Sequence, residues 1–349
     1  TLLLSTLGLM GLLLLRRRYG CSPITFAAAF LLFSFNGNLS AHIGVGHSMW
    51  MSAFLLPYFV LLVLRLLEGE SGWRWVLWMA LLQAAIFAQG GFHFVTWCLM
   101  LLLMLAVFER RRAKMLLAAV VFSLLLNLGR ILPSALEYAS QDRRFISGFF
   151  SVTDMLSGFV TLVYPPQALQ GMHASLPWWE VDFYTGLAGF AFLLVFGIGL
   201  AWKNRQRLPA AAYRGRFAAL LVMVVLSLGK VYEPINRLPI PLADAERVSS
   251  RFMLLPVVFL IVLAANQLEA WLRSREWSAW WAGTGLAALL VMGHDLLQHA
   301  RLWRVEAMAQ VFPSTAVDIR AGVINHADPP YLTALAVGTV VALISGVIL

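Results

Sequence analysis

Long apolar runs separated by short polar breaks recur along the whole chain. Each run has roughly 17 to 22 residues, enough to cross the roughly 30 Å hydrocarbon core of a bilayer as an α-helix. A membrane β-barrel would instead show short alternating segments. The pattern predicts an all-α, polytopic transmembrane helix bundle that forms a single domain over 1–349. We predict about eleven spans, at 1–15, 23–37, 47–67, 74–90, 93–109, 114–133, 183–202, 217–230, 250–271, 278–297 and 331–349.

Basic residues cluster on alternate connections between these spans, at 16–18, 65–74, 110–114, 203–216 and 273–275. Such clusters mark cytoplasmic connections in multi-pass membrane proteins. The remaining connections, which include every long one, would then lie on the opposite side. We therefore predict a multi-pass protein of the bacterial inner (cytoplasmic) membrane whose long loops face the periplasm or the exterior.

Composition supports membrane insertion and argues against a nucleic-acid partner. The chain is 60% hydrophobic and 12% charged, whereas soluble domains are about 25% charged. The formal net charge of +9 comes largely from the clusters beside apolar runs, where it serves membrane topology. Cys21 and Cys98 lack the spacing of a zinc site, so we predict no metal site. Dependence on a divalent cation stays open.

The loop 134–182, between the sixth and seventh predicted spans, is the main amphipathic stretch of the chain. Arg130 precedes it near the end of a span, and Arg143 and Arg144 lie within it. These arginines could hold an interfacial helix through ion pairs. Alternatively, at least one of them binds a lipid phosphate, which the guanidinium group recognises well.

Aromatic and acidic side chains meet at the end of this loop. Trp178, Trp179 and Tyr184 suit a membrane-interface belt, but aromatic rings beside carboxylates also suit the wall of a sugar pocket. Glu180 and Asp182 are candidate catalytic carboxylates. Their position just before a helix is also favourable simply because of the helix dipole.

Histidines follow two predicted turns on the same side. His42 and His47 are five residues apart, a poor spacing for metal ligands on one helix, and His93 begins the next span after two glycines. We predict that they form hydrogen bonds to phosphate or sugar, with solvated helix ends as the alternative. His294, Asp295 and His299 could similarly relay protons or cap a helix.

Arg247 and Arg251 lie one turn apart where a span begins. Arginines are unfavourable at a helix N-terminus unless an anion compensates them. The segment is therefore the best candidate for binding a lipid phosphate. The alternative is that both arginines pair with Asp244 and Glu246.

Four segments resemble the GT-C superfamily of membrane glycosyltransferases, in particular its YfhO-like members: 22–57, 132–144, 180–186 and 247–252. The resemblance implies transfer of a sugar from a polyprenyl-phosphate donor to an acceptor outside the membrane. It also implies phosphate binding by Arg247 and Arg251, and a site wall formed by 134–182. The superfamily's catalytic carboxylate lies in its first outer loop, which we expect to precede Thr1.

Three functions are compatible with this pattern. The first is an inverting glycosyltransferase in which an acidic base activates the acceptor and arginines stabilise the departing lipid phosphate. The second is a non-catalytic integral subunit of a larger membrane complex. The third is a lipid or sugar transporter or flippase, which the gathering of polar groups at span ends disfavours. Membrane lipids are the expected partners in each case.

Overall fold

The computed structural model describes residues 2–138, 145–163, 172–173, 176–203, 210–238, 246–274, 279–304 and 329–349. Within these ranges the chain is helical apart from loops and isolated bridges, which confirms the predicted all-α class. The α-helices are α1 (Leu2–Tyr19), α2 (Pro23–Ser34), α3 (Gly37–Gly44), α4 (Leu56–Leu67), α5 (Trp73–Ala88), α6 (Phe92–Phe108), α7 (Ala113–Leu126), α8 (Leu128–Tyr138), α9 (Val152–Val160), α10 (Gly186–Phe192), α11 (Ala201–Lys203), α12 (Ala210–Leu226), α13 (Gly229–Asn236), α14 (Leu254–Arg273), α15 (Ala279–Leu302) and α16 (Pro329–Ile348). Short 3₁₀ segments cover Ser48–Leu55, Arg110–Arg112, Trp178–Glu180 and Ser249–Met253, and a π-helix covers Leu193–Leu200.

Several helices are suited to crossing a membrane. Among the described residues, four are long and apolar enough, and the number rises to six if two bent helix pairs each form one span. The four are Ser48–Leu67, Gly186–Lys203, Ser249–Arg273 and Pro329–Ile348. These helices fit a multi-pass membrane protein, while the count of about eleven spans stays a prediction.

The helix predicted over 23–37 is interrupted at Asn36, where α2 and α3 meet at a bend of 40°. The Asn36 side chain accepts a hydrogen bond from the backbone of Leu39 at 3.0 Å and donates one to the carbonyl of Phe33 at 2.7 Å. It thus caps α3 and the end of α2 together. These two hydrogen bonds interrupt the helix at Asn36, although the flanking residues are apolar.

The helix predicted over 217–230 also breaks, since α12 ends at Leu226. The Ser227 carbonyl accepts a hydrogen bond from the backbone N–H of Phe149 at 3.0 Å, and Phe149 forms an isolated β-bridge with Leu228. A second bridge joins Ser147 to Val248. The segment that follows α8 is therefore held to the bundle by backbone pairing as well as by side chains.

The connections between helices that the structure describes gather at two opposite ends of the bundle. At one end, Arg18 pairs with Glu68 and Glu70, and Glu269 accepts a hydrogen bond from the backbone of Ser22 at 2.7 Å. These residues belong to connections predicted to be cytoplasmic, except Glu269, which lies near the end of the adjoining span 250–271. The described parts of the connections predicted to face outside contact one another at the other end, which we call the site end. Its segments are 35–50, 88–93, 145–163, 172–173, 176–185, 227–238, 246–253 and 295–304.

Helices α4 and α14 form the centre of the bundle. Phe59 and Val63 on α4 are fully buried, and the ring of Phe59 meets that of Phe259 on α14 edge to face at 6.3 Å. Helix α16 instead packs at the periphery against α7 and α8 and leaves most of its apolar surface exposed. The central helices carry the site residues at their ends.

Candidate functional site

A buried ion pair between Glu180 and Arg251 lies at the centre of the site end. Arg251 donates from Nε and from Nη2 to the two carboxylate oxygens of Glu180, both at 2.6 Å. The side chains are only 14% and 7% exposed. Ser250 also donates to the backbone carbonyl of Glu180 at 2.6 Å. This two-point geometry fixes both groups far more firmly than a surface ion pair would.

An aromatic and imidazole stack forms one wall around this pair. The ring of His42 stacks on that of Trp50 at 3.6 Å, and the guanidinium of Arg251 lies 5.1 Å from the same indole. The Nδ1 atoms of His42 and His47 share a hydrogen bond of 2.8 Å. Trp50 donates its indole N–H to Asn38 at 2.9 Å. The stack keeps His42 fully buried, with Nε2 3.9 Å from the Glu180 carboxylate.

Asp182 forms a second buried cluster and is completely enclosed. Its carboxylate accepts hydrogen bonds from the backbone of Tyr184 and from the indole of Trp303, both at 3.0 Å. Nε2 of His299 lies 3.1 Å from the same carboxylate, and the His299 ring stacks on Tyr184 at 4.2 Å. Asp182 thus links the loop before α10 to the end of α15, so its carboxylate has a structural role.

His93 pairs with Glu246 beside the aromatic wall. Nδ1 of His93 lies 2.7 Å from Oε1 of Glu246, which is fully buried. The His93 side chain is 18% exposed, so it is accessible from outside the protein. Its ring stacks on Trp97 at 6.1 Å, and Trp97 contacts Trp50. The sequence places His93 here because the turn at Gly90, with a φ of 95°, reverses the chain between α5 and α6.

The remaining predicted pocket residues lie around these clusters. Trp179 packs edge to face against His47 at 6.2 Å and against Trp303 at 6.5 Å. Trp178 is buried, and Tyr184 is buried against His299. The aromatic residues at the end of the predicted loop therefore form the interior of the site end.

The predicted phosphate-binding arginines have different surroundings. Arg251 pairs with Glu180 rather than with Glu246, while the neighbouring Arg247 is exposed. Arg130 donates to the carbonyls of Phe87 and Ala88 at 3.2 Å, where it caps the end of α5. Asp244, Arg143 and Arg144 lie outside the described residues.

Burial and charge shift the pKa values of His47 and Tyr184, two of the groups at the site end. Burial lowers the pKa of His47; Glu180 opposes that shift, and Arg251 adds to it. Burial raises the pKa of Tyr184 to about 12, with further contributions from Asp295 and Asp182. At neutral pH the Tyr184 hydroxyl is therefore protonated and can donate a hydrogen bond.

An apolar groove of about 430 Å³ runs between the 186–203 helix, α12 and α14. Along the helix Ser249–Arg273 it extends from Met253 to Asn266, a length of roughly 20 Å at the α-helical rise. Met253 is two residues from Arg251, so one end of the groove adjoins the site end. The wall residues include Leu194, Ile198, Leu221, Val224, Met253 and Leu260.

Some site residues lacked any sequence signal. Trp50 and Trp303 resemble other interface tryptophans in the sequence, yet each donates to a buried side chain. The alternative prediction paired Glu246 with an arginine, whereas its carboxylate lies 2.7 Å from Nδ1 of His93. Among the described residues, no group of three or more His, Cys, Asp or Glu side chains could hold a metal ion.

Comparison of the chain with protein-family models, with curated proteins and with solved structures finds no match. The resemblance to the GT-C superfamily therefore stays a prediction, and function is inferred from the site geometry.

Proposed function

We propose that this chain is a GT-C-like membrane glycosyltransferase that takes a sugar from a polyprenyl-phosphate donor and passes it to an acceptor at the site end. The observation that carries the proposal is the apolar groove whose end adjoins the Glu180–Arg251 pair. A lipid-linked substrate needs both features, because its hydrocarbon chain stays in the bilayer while its phosphate needs a cationic group.

The groove suits a hydrocarbon chain. Leu221 is 61% exposed and Ile198 is 47% exposed, so its walls open onto the surface of the bundle. Two of the bordering helices, Gly186–Lys203 and Ser249–Arg273, are candidate membrane spans. An isoprenoid chain could therefore enter from the bilayer without passing through water.

Arg251 and Arg247 would supply the positive charge for the phosphate. Nε and Nη2 of Arg251 are bound to Glu180, whereas the described residues offer Nη1 no hydrogen-bond acceptor. Arg247 is exposed at the same end. As the bond to the sugar breaks, negative charge grows on the lipid phosphate, and a fixed guanidinium stabilises it without reorganising.

The proposed location is the bacterial inner membrane, with the site end toward the periplasm. The basic clusters that support this orientation lie on connections away from the site end, such as 16–18 and 110–114. The acceptor would reach the site from the periplasm. The donor would come from the membrane.

The test measures lipid retention and sugar transfer by the full chain in nanodiscs made from native lipids. Val224→Trp would fill the groove, while the control Val340→Trp alters an exposed position on α16 outside it. We expect V224W to lower both co-purifying polyprenyl phosphate and transfer of a labelled sugar by about tenfold or more. Equal retention and transfer in both variants and the wild type would refute the groove as the donor site.

The second candidate function is a non-catalytic subunit of a membrane complex. It is favoured by the internal use of Glu180, Arg251 and Asp182, whose charges are satisfied within the protein. This alternative predicts that the chain co-migrates with another membrane protein on native gels. It also predicts that the isolated chain retains no polyprenyl phosphate and transfers no sugar.

A further inference from the structure

We propose that helix α9 lies at the bilayer interface on the side of the site end. Its apolar edge, formed by Val152 and Leu156, would insert among lipid acyl chains beside the mouth of the apolar groove. Three features of α9 carry the inference: its exposed apolar edge, its packing against a candidate membrane span and its place in the groove wall. The inference does not depend on sugar transfer, because it concerns how the chain meets the membrane.

The segment that contains α9 has very little charge. Among residues 145–163, only Asp154 is charged. The Ser151 hydroxyl accepts a hydrogen bond from the backbone N–H of Asp154 at 3.1 Å and donates one to its carboxylate at 2.7 Å. This one charge therefore belongs to the cap of the helix. Soluble domains contain about 25% charged residues, so the segment has the composition of one that contacts a membrane.

The helical period divides α9 into an apolar and a polar face. Val152 and Leu156 are one turn apart, and they are 53% and 43% exposed. Thr153, Asp154 and Ser157 lie toward the other side of the helix. Exposure of two aliphatic side chains to water costs free energy, and insertion of the apolar edge into lipid removes that cost.

Helix α9 packs against the beginning of the candidate membrane span Gly186–Lys203. The ring of Phe159 lies 5.5 Å from that of Phe190, which is near the start of the span. The backbone carbonyl of Phe159 also accepts a hydrogen bond at 2.9 Å from Thr185, the residue before the span. Because a spanning helix begins near the membrane surface, these contacts hold α9 at the depth of the interface.

The same helix forms part of the groove wall. Met155, Leu156 and Phe159 line the groove together with Met253, which lies at its site-end limit. Leu156 is thus both a wall residue and a member of the apolar edge. The mouth of the groove therefore opens beside the surface that we place in the bilayer. A lipid chain could enter there directly from the surrounding leaflet.

A cation lies beside the start of α9. The ammonium group of Lys230 is 4.4 Å from the centre of the Phe150 ring, and that ring is exposed. Lysine combines an apolar stem with a charged tip, so it suits the boundary between acyl chains and headgroups. Its charge complements lipid phosphates at that level. Charge and apolar surface together therefore favour a lipid surface as the partner of this edge.

The experiment measures the depth of α9 in nanodiscs that contain the full chain, phosphatidylethanolamine and phosphatidylglycerol. Nitroxide spin labels are attached to Val152→Cys and to Leu156→Cys, each in a Cys21→Ala background. Cys98 is fully buried, and the background variant without a new cysteine gives the blank. Power saturation then compares two relaxation agents: oxygen, which concentrates in the bilayer, and a nickel chelate, which stays in water.

Two further variants calibrate the measurement. Thr153→Cys is the matched control, because Thr153 is exposed on the same helix but away from the apolar edge. Val340→Cys provides the membrane reference, since Val340 is exposed on the candidate span Pro329–Ile348.

We expect the labels of V152C and L156C to lie about 5–10 Å inside the headgroup boundary and to be relaxed mainly by oxygen, as an interfacial helix requires. The V340C label should also be relaxed mainly by oxygen. The T153C label should be relaxed mainly by the nickel chelate. If one of the two edge variants fails to fold, the other decides the result.

Two outcomes would overturn the inference. Edge labels that the nickel chelate relaxes as strongly as the T153C label would place α9 in water. Edge labels that neither agent reaches would show that protein covers the edge, a result that would favour the membrane-subunit alternative. The V224W experiment tests the transferase proposal separately, so failure of one proposal can be told from failure of the other.

Discussion

Arg251 donates two hydrogen bonds of 2.6 Å to the carboxylate of Glu180, a residue seventy-one positions earlier in the chain. This pair joins the 3₁₀ turn before α14 to the one at Trp178–Glu180. Because both side chains are almost completely buried, neither charge can turn to water if its partner is lost. The pair therefore holds these two 3₁₀ turns of the site end together, whether or not a ligand binds there.

Removal of one partner should be strongly destabilising. Arg251→Ala leaves a buried carboxylate without its cation, and we expect a loss of about 3–5 kcal/mol in the free energy of unfolding. Denaturant titration in detergent micelles, followed by tryptophan fluorescence, measures it. Arg237→Ala is the matched control, since Arg237 is 72% exposed and its pair with Glu233 lies at the surface. An equal effect of both substitutions would contradict the buried pair.

Gly37 should not tolerate a larger side chain. A Cβ atom at this position would collide with Oδ1 of Asp182 and with the backbone nitrogen of Tyr184. We expect Gly37→Ala to cost about 1–3 kcal/mol and to lower the melting temperature, because it pushes Asp182 away from its donors. Gly283→Ala is the control: its Cβ would meet nothing within 4 Å. A melting temperature unchanged by G37A would show that this contact is loose.

The helices could be located from sequence because each apolar run is long and bounded by charge. The breaks could not, since a short polar segment such as Asn36 with its neighbours is a weak signal between apolar runs. Its effect depends on two hydrogen bonds, to Leu39 and Phe33, that only appear once the chain is folded. Helix positions were therefore more predictable than the bends that shape the site.

Site partners were harder to predict than site positions. The segments containing Arg251, Glu180 and His93 were all expected on one side of the membrane, and they do meet at one end of the bundle. Their pairing was missed, because Arg251 was expected to bind a phosphate or a nearby carboxylate. Hydrophobic periodicity relates residues within a helix, but it carries no information about partners seventy or more residues apart.

Glu109 is buried at the turn between α6 and α7 and packs against Gly215 of α12. Burial raises its pKa, and the nearby Arg112 only partly opposes the shift. A raised folded-state pKa favours the protonated form. The stability that this group contributes is therefore complete below its unfolded pKa of about 4.3 and is lost as pH rises through the folded value.

Glu109→Gln should consequently raise the melting temperature at neutral pH, and the gain should shrink as the pH falls toward about 4. Glu70→Gln provides a control of opposite sign, since hydrogen bonds from Arg65 and Arg18 lower the pKa of Glu70. Its ionised form stabilises the fold above the unfolded pKa, so E70Q should lower the melting temperature slightly at neutral pH and lose its effect in acid. Thermal unfolding of the wild type and both variants across this pH range measures the two trends. A falling melting temperature for E109Q at neutral pH would mean that the Arg112 pair outweighs the burial of the carboxylate.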